Sequence, residues 1–324
     1  MSMNQRNLKG TDLKVSRACF GTMTFGSQVD AALAATMIDS CIARGVNFFD
    51  TANMYQTGLS EELLGKALRG KRDKVVLASK VRAKMGDSPD QQGLSRVAIT
   101  RAIDESLKRL QTDYLDIYYL HWPDSDVPIE ETLETIDELV KAGKILYPAI
   151  SNYSSWQTVE MLSLAQRHGY KPAVIAQQMY NLLARGLEQE YLPMARKFDV
   201  SIVAYNPLAG GLLTGKHKGN AITPGTRFDK NTMYQDRYWH ERNFQAVAEL
   251  QAVSEQAGRS LVSVALNWLM HHTPTDCVIL GASKLEQLDQ NLDALDEGPL
   301  PAEVAQQCDD VWKELLGPTP VYNR

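Results

Sequence analysis

The chain has 324 residues, 44% of them hydrophobic and 23% charged, with a formal net charge of -5 and an isoelectric point near 5.7. That length and balance suit a globular protein with a substantial core, and there is no basic surplus to hold a nucleic-acid backbone or an anionic membrane surface. No apolar run reaches the roughly eighteen residues of a membrane span, and the opening Met1-Ser2-Met3-Asn4-Gln5-Arg6 has no signal-like apolar centre, so we expect a cytoplasmic, unanchored protein with no nucleic-acid or membrane partner.

Residues 5 to 15 alternate around Gly10-Thr11-Asp12, which predicts a small hairpin plugging one end of the main fold. Apolar strand-like runs then alternate with amphipathic helices. The strands read as Ala18 to Gly21, Val46 to Asp50, Val75 to Lys80, Leu115 to His121, Ile145 to Ser151, Val174 to Gln178, Ser201 to Tyr205 and Cys277 to Leu280. Between them, Ile99, Ile103, Leu107 and Leu110 recur at helical spacing, as do Ile129, Leu133, Ile136 and Val140.

Eight strands with a helix after nearly every one, and no linker-like break in composition, predict the α/β class and a single (β/α)8 TIM barrel over 1–324. A doubly wound open sheet is the competing arrangement. From Gly210 to about Asn243 periodicity fades while Tyr234, Tyr238 and Trp239 cluster, predicting a long loop that straps over the barrel mouth. Cys19, Cys41, Cys277 and Cys308 are far apart, with no metal-ligand spacing, and read as buried, inert thiols.

Two motif-like stretches do not hold up chemically. Gly210-Gly211-Leu212-Leu213-Thr214-Gly215-Lys216 imitates a nucleotide-binding loop, but His217 stands where a Ser or Thr must meet magnesium. No G-x-G-x-x-G opens a helix after a strand. His271 and His272 end a helical run, where they suit the helix dipole better than a metal, and no metal site is expected.

The candidates that hold together are Asp50, Tyr55, Lys80 and His121. Asp50 closes the apolar run Val46 to Phe49, Lys80 closes Val75 to Ser79, and His121 follows Leu120. Consecutive strands of a parallel barrel would therefore present an acid, an amine and an imidazole at one rim, where barrel chemistry resides. A phenol of ordinary pKa about 10 is a weak acid at neutral pH unless a cation assists it, and a Lys-Asp pair beside Tyr55 would do so. His121 would orient a substrate oxygen.

With those residues in place the sequence resembles the aldo-keto reductase family over essentially its whole length. The matching stretches are Phe48-Phe49-Asp50-Thr51-Ala52-Asn53-Met54-Tyr55, Ser79-Lys80, Tyr119-Leu120-His121, Ile150-Ser151-Asn152, Ala204-Tyr205-Asn206-Pro207-Leu208, and Gly281-Ala282-Ser283 with Gln287 and Asn291. The resemblance implies NADPH bound extended over the mouth, hydride transfer to an aldehyde or ketone, and protonation of the alkoxide by Tyr55. Asp50 and Lys80 would tune Tyr55, and His121 would position the carbonyl.

For the cofactor, the resemblance implies Ser151, Asn152 and Gln177 at the carboxamide, Tyr205 as the shelf under the ring, and Asp50 near the ribose. Thr22, Met23 and Gln28, then Asn206, Pro207, Leu208, Ala209, Gly210 and Leu212, are further contacts it implies. Lys216 and Arg227 would strap the phosphates, with Lys284 adding charge, while Gly281, Ser283, Gln287 and Asn291 resemble the adenine-side motif. A helix beginning near Ser283 would offer free N–H groups to a phosphate.

Two positions depart from the family pattern: Gln177-Gln178-Met179 replaces Gln-x-Glu, and Gln290 stands where Glu is frequent. Phe25, Met54, Trp122 and Tyr153 are the candidate substrate-lining residues. The expected function is NADPH-dependent carbonyl reduction. The alternative is a cofactor-binding regulatory subunit of the potassium-channel β type, which shares the Gly21-to-Gly26 type of opening but carries Asn where this chain has His121.

Overall fold

The computed structural model describes residues 4–217 and 221–318. The chain falls into two compact units. One takes in residues up to Gln178, then Glu188–Tyr205 and Thr275–Asp289; the other takes in Met179–Leu187, Asn206–Pro274 and the residues from Gln290 onward.

The first unit opens with β1 (Gln5–Asn7) and β2 (Lys14–Ser16), an antiparallel pair. Eight parallel strands follow: β3 (Ala18–Gly21), β4 (Phe48–Asp50), β5 (Val76–Val81), β6 (Leu115–Leu120), β7 (Ile145–Ser151), β8 (Ile175–Met179), β9 (Ser201–Tyr205) and β10 (Cys277–Gly281). They close in the order β10-β3-β4-β5-β6-β7-β8-β9, as the predicted (β/α)8 barrel rather than an open sheet.

Helices α1 (Ala31–Ala43), α2 (Leu59–Ala67), α3 (Arg96–Leu110), α4 (Ile129–Lys141), α5 (Ser155–His168) and α6 (Tyr191–Lys197) follow β3 to β8 in turn. Their starts are written in short polar side chains. Asp30 accepts from the Leu33 N–H at 2.9 Å, and Ser154 with Gln157 forms a reciprocal cap on α5. The predicted helical stripes hold in part: α3 buries Ile99, Ile103 and Leu110, whereas α4 buries Leu133, Ile136 and Leu139 and leaves Ile129 and Val140 half-covered.

Alternation sets what faces the barrel axis. Cys19, Phe48, Val76, Ala78, Ile117, Tyr119, Tyr147, Ala149, Ile175, Val203, Cys277 and Ile279 form one core cluster, each spaced two residues from the next inward position on its strand. Leu8, Leu13 and Val15 of the hairpin join that cluster. The hairpin is tied to strand beginnings: the Lys9 N–H donates to Ser201 Oγ at 2.7 Å, and Tyr147 OH donates to Asp12 at 2.5 Å. It plugs the amino end, as expected, and leaves the carboxyl end for chemistry.

β4 starts at Phe48 rather than Val46. The Val46 N–H is spent on the Cys41 carbonyl at 2.9 Å, after Gly45 at φ +84° closes α1, so it cannot enter the ladder.

The second unit contains α7 (Thr232–Tyr238), α8 (Glu241–Gln256), α9 (Leu261–His272) and α11 (Ala302–Leu316); α10 (Leu285–Asp296) begins in the first unit's last segment and ends in the second's. The segment expected to be a loop from Gly210 to Asn243, of which 218–220 lie outside the described residues, is more than loop in its described parts. It holds a 3-10 helix at Ala209–Thr214 and then α7, whose N-terminus is capped by Asn231 and whose Tyr234 and Tyr238 are buried. His272 closes α9 and accepts from the Leu300 N–H at 3.2 Å. All four cysteines are free and buried, and burial pushes the Cys308 thiol up to about 12. Among the described residues no helix is long and apolar enough to cross a membrane.

Candidate active site

Asp50 and Lys80 continue the inward alternation two residues beyond Phe48 and Ala78, and parallel register sets Asp50 opposite Ala78. The Lys80 side chain is fully buried. Its ammonium pairs with Asp50 Oδ1, donates to the Thr51 carbonyl at 2.7 Å, and reaches Tyr55 OH at 3.4 Å. Three protons thus meet three acceptors. The second Asp50 oxygen accepts from Gln177 Nε2 at 2.8 Å.

Burial pulls the Lys80 ammonium down, but Asp50 and Tyr55 outweigh it and hold the group above the ordinary lysine range. Burial raises the Asp50 carboxyl, while Lys80 and Gln177 draw it back.

Tyr55 opens a short 3-10 turn in which Gln56 and Thr57 adopt left-handed φ values of 49° and 52°. The turn ends at Gly58, at φ +92° with an added Cβ only 2.7 Å from Arg109 Cδ, so both conformation and space call for glycine. Just beyond, the Ser60 hydroxyl donates to the Thr22 carbonyl at 2.7 Å and meets the Thr22 and Thr51 hydroxyls at 2.9 and 3.0 Å. Buried Glu61 accepts from Ser79 Oγ at 2.5 Å and from Arg109 Nε at 2.7 Å. Those bonds tie the Tyr55 turn to the strand that carries Lys80.

The His121 ring lies edge-on to Tyr55 at 6.2 Å between centroids and packs on Trp122 at 4.7 Å. Burial, then the Lys80 charge, holds its imidazole well below its ordinary range, and its Nδ1 is buried with no hydrogen-bond partner. At neutral pH it is an uncharged group with one N–H to give.

Asn152 sits in the left-handed region at φ +62°. Its Nδ2 donates to the His121 carbonyl at 2.9 Å and to Ser151 Oγ at 3.0 Å, and its Oδ1 accepts from Tyr205 OH at 2.7 Å. The structure therefore gathers Asp50, Tyr55, Lys80, His121, Ser151, Asn152, Gln177 and Tyr205 through direct contacts.

Residues 17–313 match the model of the aldo/keto reductase family. The chain belongs to the aldo-keto reductase family. Among its relatives, the human protein named aflatoxin B1 aldehyde reductase member 2 is 38% identical over 322 residues, covering 94% of this chain and 88% of that protein. An uncharacterized oxidoreductase of Bacillus subtilis is 36% identical over 330 residues, covering 98% of each chain. A probable voltage-gated potassium channel subunit beta of Arabidopsis thaliana is 34% identical over 305 residues, covering 92% of this chain and 93% of its own. The aldo-keto reductases are oxidoreductases whose general chemistry is NADPH-dependent carbonyl reduction, and this chain is one of them.

Other positions singled out from the aldo-keto reductase resemblance lie as follows. Thr22 is buried and hydrogen-bonded to Ser60, whereas Met23 and Gln28 are exposed. Gln178, at the departure from Gln-x-Glu, is buried and donates to the Tyr153 carbonyl at 2.8 Å. Ser283 N–H and Oγ both meet Gln287 Oε1, at 3.0 and 3.1 Å, just ahead of α10, which carries the buried Asn291. Gly281 is exposed at the end of β10.

In the second unit, Asn206 at φ +60° accepts the Gly210 N–H at 2.7 Å and donates to Tyr238 OH at 2.9 Å, shaping the segment that includes Pro207, Leu208, Ala209 and Leu212. Lys216 is exposed, and the Arg227 guanidinium lies 5.5 Å from the Tyr234 ring centroid. Of the substrate candidates, Met54 is exposed and Trp122 half-buried, while Phe25 and Tyr153 are buried. Sequence reading passed over the Thr51 carbonyl, Ser60, the Glu61–Arg109 pair and Arg82. Only Arg82 carries a signal, since it stands two positions beyond Lys80.

Proposed function

We propose that this chain reduces an aldehyde or ketone with NADPH, with Tyr55 as the proton donor to the carbonyl oxygen. The observation that carries the reading is the contact of the buried Lys80 ammonium with Tyr55 OH at 3.4 Å while Asp50 holds the same ammonium in place. A cation at that range stabilises the phenolate left when the proton departs, which makes the phenol a stronger acid. His121, uncharged, would donate to the carbonyl oxygen and hold it toward Tyr55. Asp50 keeps Lys80 oriented, and Gln177 keeps Asp50 oriented.

A nicotinamide cofactor held there would supply the hydride. Ser151, Asn152 and Gln177 suit its carboxamide: Asn152 is held by three hydrogen bonds and keeps one lone pair on Oδ1 beyond the bond from Tyr205. Tyr205 would provide the shelf beneath the ring. The family resemblance extends the assignment to Thr22, Met23, Gln28, the 206–212 segment, Gly281, Ser283, Gln287 and Asn291, with Lys216 and Arg227 directed to phosphates.

The test is NADPH consumption, followed at the nicotinamide absorbance band with a panel of aldehydes, ketones and sugars. Turnover by the wild type and none by Tyr55→Phe supports the reading; no turnover on any carbonyl rejects it. A cofactor-binding channel subunit is the second reading, favoured by the 34% identity to a probable potassium channel subunit beta. The imidazole at 121 weighs against it. Capture of a channel protein from detergent-solubilised membranes, with NADPH binding but no carbonyl turnover, would favour that reading instead.

A further inference from the structure

We propose that Arg82 receives an anionic group of the substrate, so that the preferred carbonyl compounds are aldehydes or ketones carrying a carboxylate. The proposal rests on the reductase reading and names the substrate class for the same site.

Arg82 directly follows β5 and adopts φ +130°, a conformation that residues with a Cβ rarely take. Strain of that kind collects at functional positions, where surrounding contacts hold it. Here the contacts lead to the reacting hydroxyl. The guanidinium carbon lies 5.3 Å from the Trp122 ring centroid, Trp122 packs on His121 at 4.7 Å, and His121 stands 6.2 Å from Tyr55.

The hydrogen-bonding capacity of Arg82 is largely unspent. Its Nε is buried with no partner, and its Nη2 approaches Asp124 only to 3.5 Å, well beyond the roughly 2.8 Å of a formed charge-assisted bond. The Asp124 oxygens are engaged elsewhere: Oδ2 accepts from the Leu94 N–H at 2.8 Å and Oδ1 from the Asp126 N–H at 3.3 Å. Lys80, the other cation here, has all three protons committed. An arginine presents a planar fork of donors matched to a carboxylate, and its side chain here is 29% exposed, open to an incoming ligand. Asp124 sets the charge limit. A monoanion would sit against Arg82, whereas a dianionic phosphate would meet Asp124 repulsion.

The test compares 4-carboxybenzaldehyde with its neutral methyl ester, methyl 4-formylbenzoate, as substrates with NADPH. The wild type should favour the acid by about tenfold or more in kcat/KM, mainly through KM. Arg82→Gln should bring the acid-to-ester ratio to about one, and Arg82→Lys should retain part of it, since an ammonium keeps charge without the fork.

A calorimetric titration with 4-carboxybenzyl alcohol reads the subsite without turnover, and binding should weaken by a similar factor in Arg82→Gln. Equal use of acid and ester by the wild type, or an unchanged ratio in Arg82→Gln, overturns the proposal. Carboxylate binding that depends on Arg82, with neither aldehyde reduced, would support the anion subsite and reject the reductase reading. Turnover of both aldehydes without acid preference would reject the subsite alone.

Discussion

The Lys80 ammonium stands 3.4 Å from the phenolic oxygen of Tyr55, from a position 25 residues further along the chain. β5 brings the lysine, the turn after β4 brings the phenol, and Asp50 holds the ammonium between them. The Lys80–Asp50 pair also bears on stability, because a buried charge needs its partner.

Tyr55→Phe removes the proposed proton donor and little else. We expect carbonyl reduction to fall by roughly 10²- to 10⁴-fold, the usual weight of a general acid, while NADPH still quenches intrinsic tryptophan fluorescence. Near-normal turnover by the variant would sink the assignment.

Lys80→Met leaves Asp50 buried without its cation. Urea unfolding should report a loss of about 3–5 kcal/mol, and Asp50→Asn in the same chain should recover a good part of it, because the uncompensated charge is then gone. Additive losses in the double variant would show that the two residues do not act as a pair. Activity should be lost in Lys80→Met, in Asp50→Asn alone and in the double variant.

The Glu61–Arg109 pair permits a parallel experiment away from the reacting atoms. Glu61 is fully buried and accepts from both Ser79 and Arg109. Arg109→Met should destabilise by about 3–5 kcal/mol, and adding Glu61→Gln should restore part of that. A midpoint unchanged in Arg109→Met would show that the pair is dispensable.

Acid should weaken the fold through His121. Its folded-state pKa lies well below the ordinary value because of burial and the Lys80 charge. Below about pH 6.5 the unfolded chain therefore binds more protons than the native one, so the stability from the neutral ring is complete above that pH and lost as pH falls. Urea midpoints at pH 7.5 and 5.5 should separate more in the wild type than in His121→Asn, with a difference of up to about 1 kcal/mol per pH unit. Identical separations would exclude the linkage.

Arg227→Ala should raise the dissociation constant for NADPH more than for NADH, by roughly tenfold if the guanidinium meets a 2'-phosphate. Equal losses for the two cofactors would reject that role.

The barrel was legible because inward alternation and helical stripes are local patterns; the end of β4 at Asp50 was read as it stands, while β5 runs one residue past Lys80 and β6 stops one short of His121. Boundaries moved where a backbone group had two claimants, as at Val46, whose N–H closes α1 instead of opening β4. The 210–243 segment was read as loop because its order comes from side-chain caps and buried aromatics, Asn231, Tyr234 and Tyr238, rather than from a periodic stripe.

By itself the sequence determined the eight barrel strands, the helices between them and the placing of Asp50, Lys80 and His121 at or beside the ends of three of those strands, since these follow from propensity and alternation along neighbouring residues. Only the tertiary structure decided that Lys80 is fully buried, that the Thr51 carbonyl takes one of its protons, that Glu61 clasps Ser79 and Arg109, and that Arg82 has donors to spare. Those facts are distances and solvent exposures between segments far apart in the chain. They are set when the barrel closes, and no local pattern encodes them.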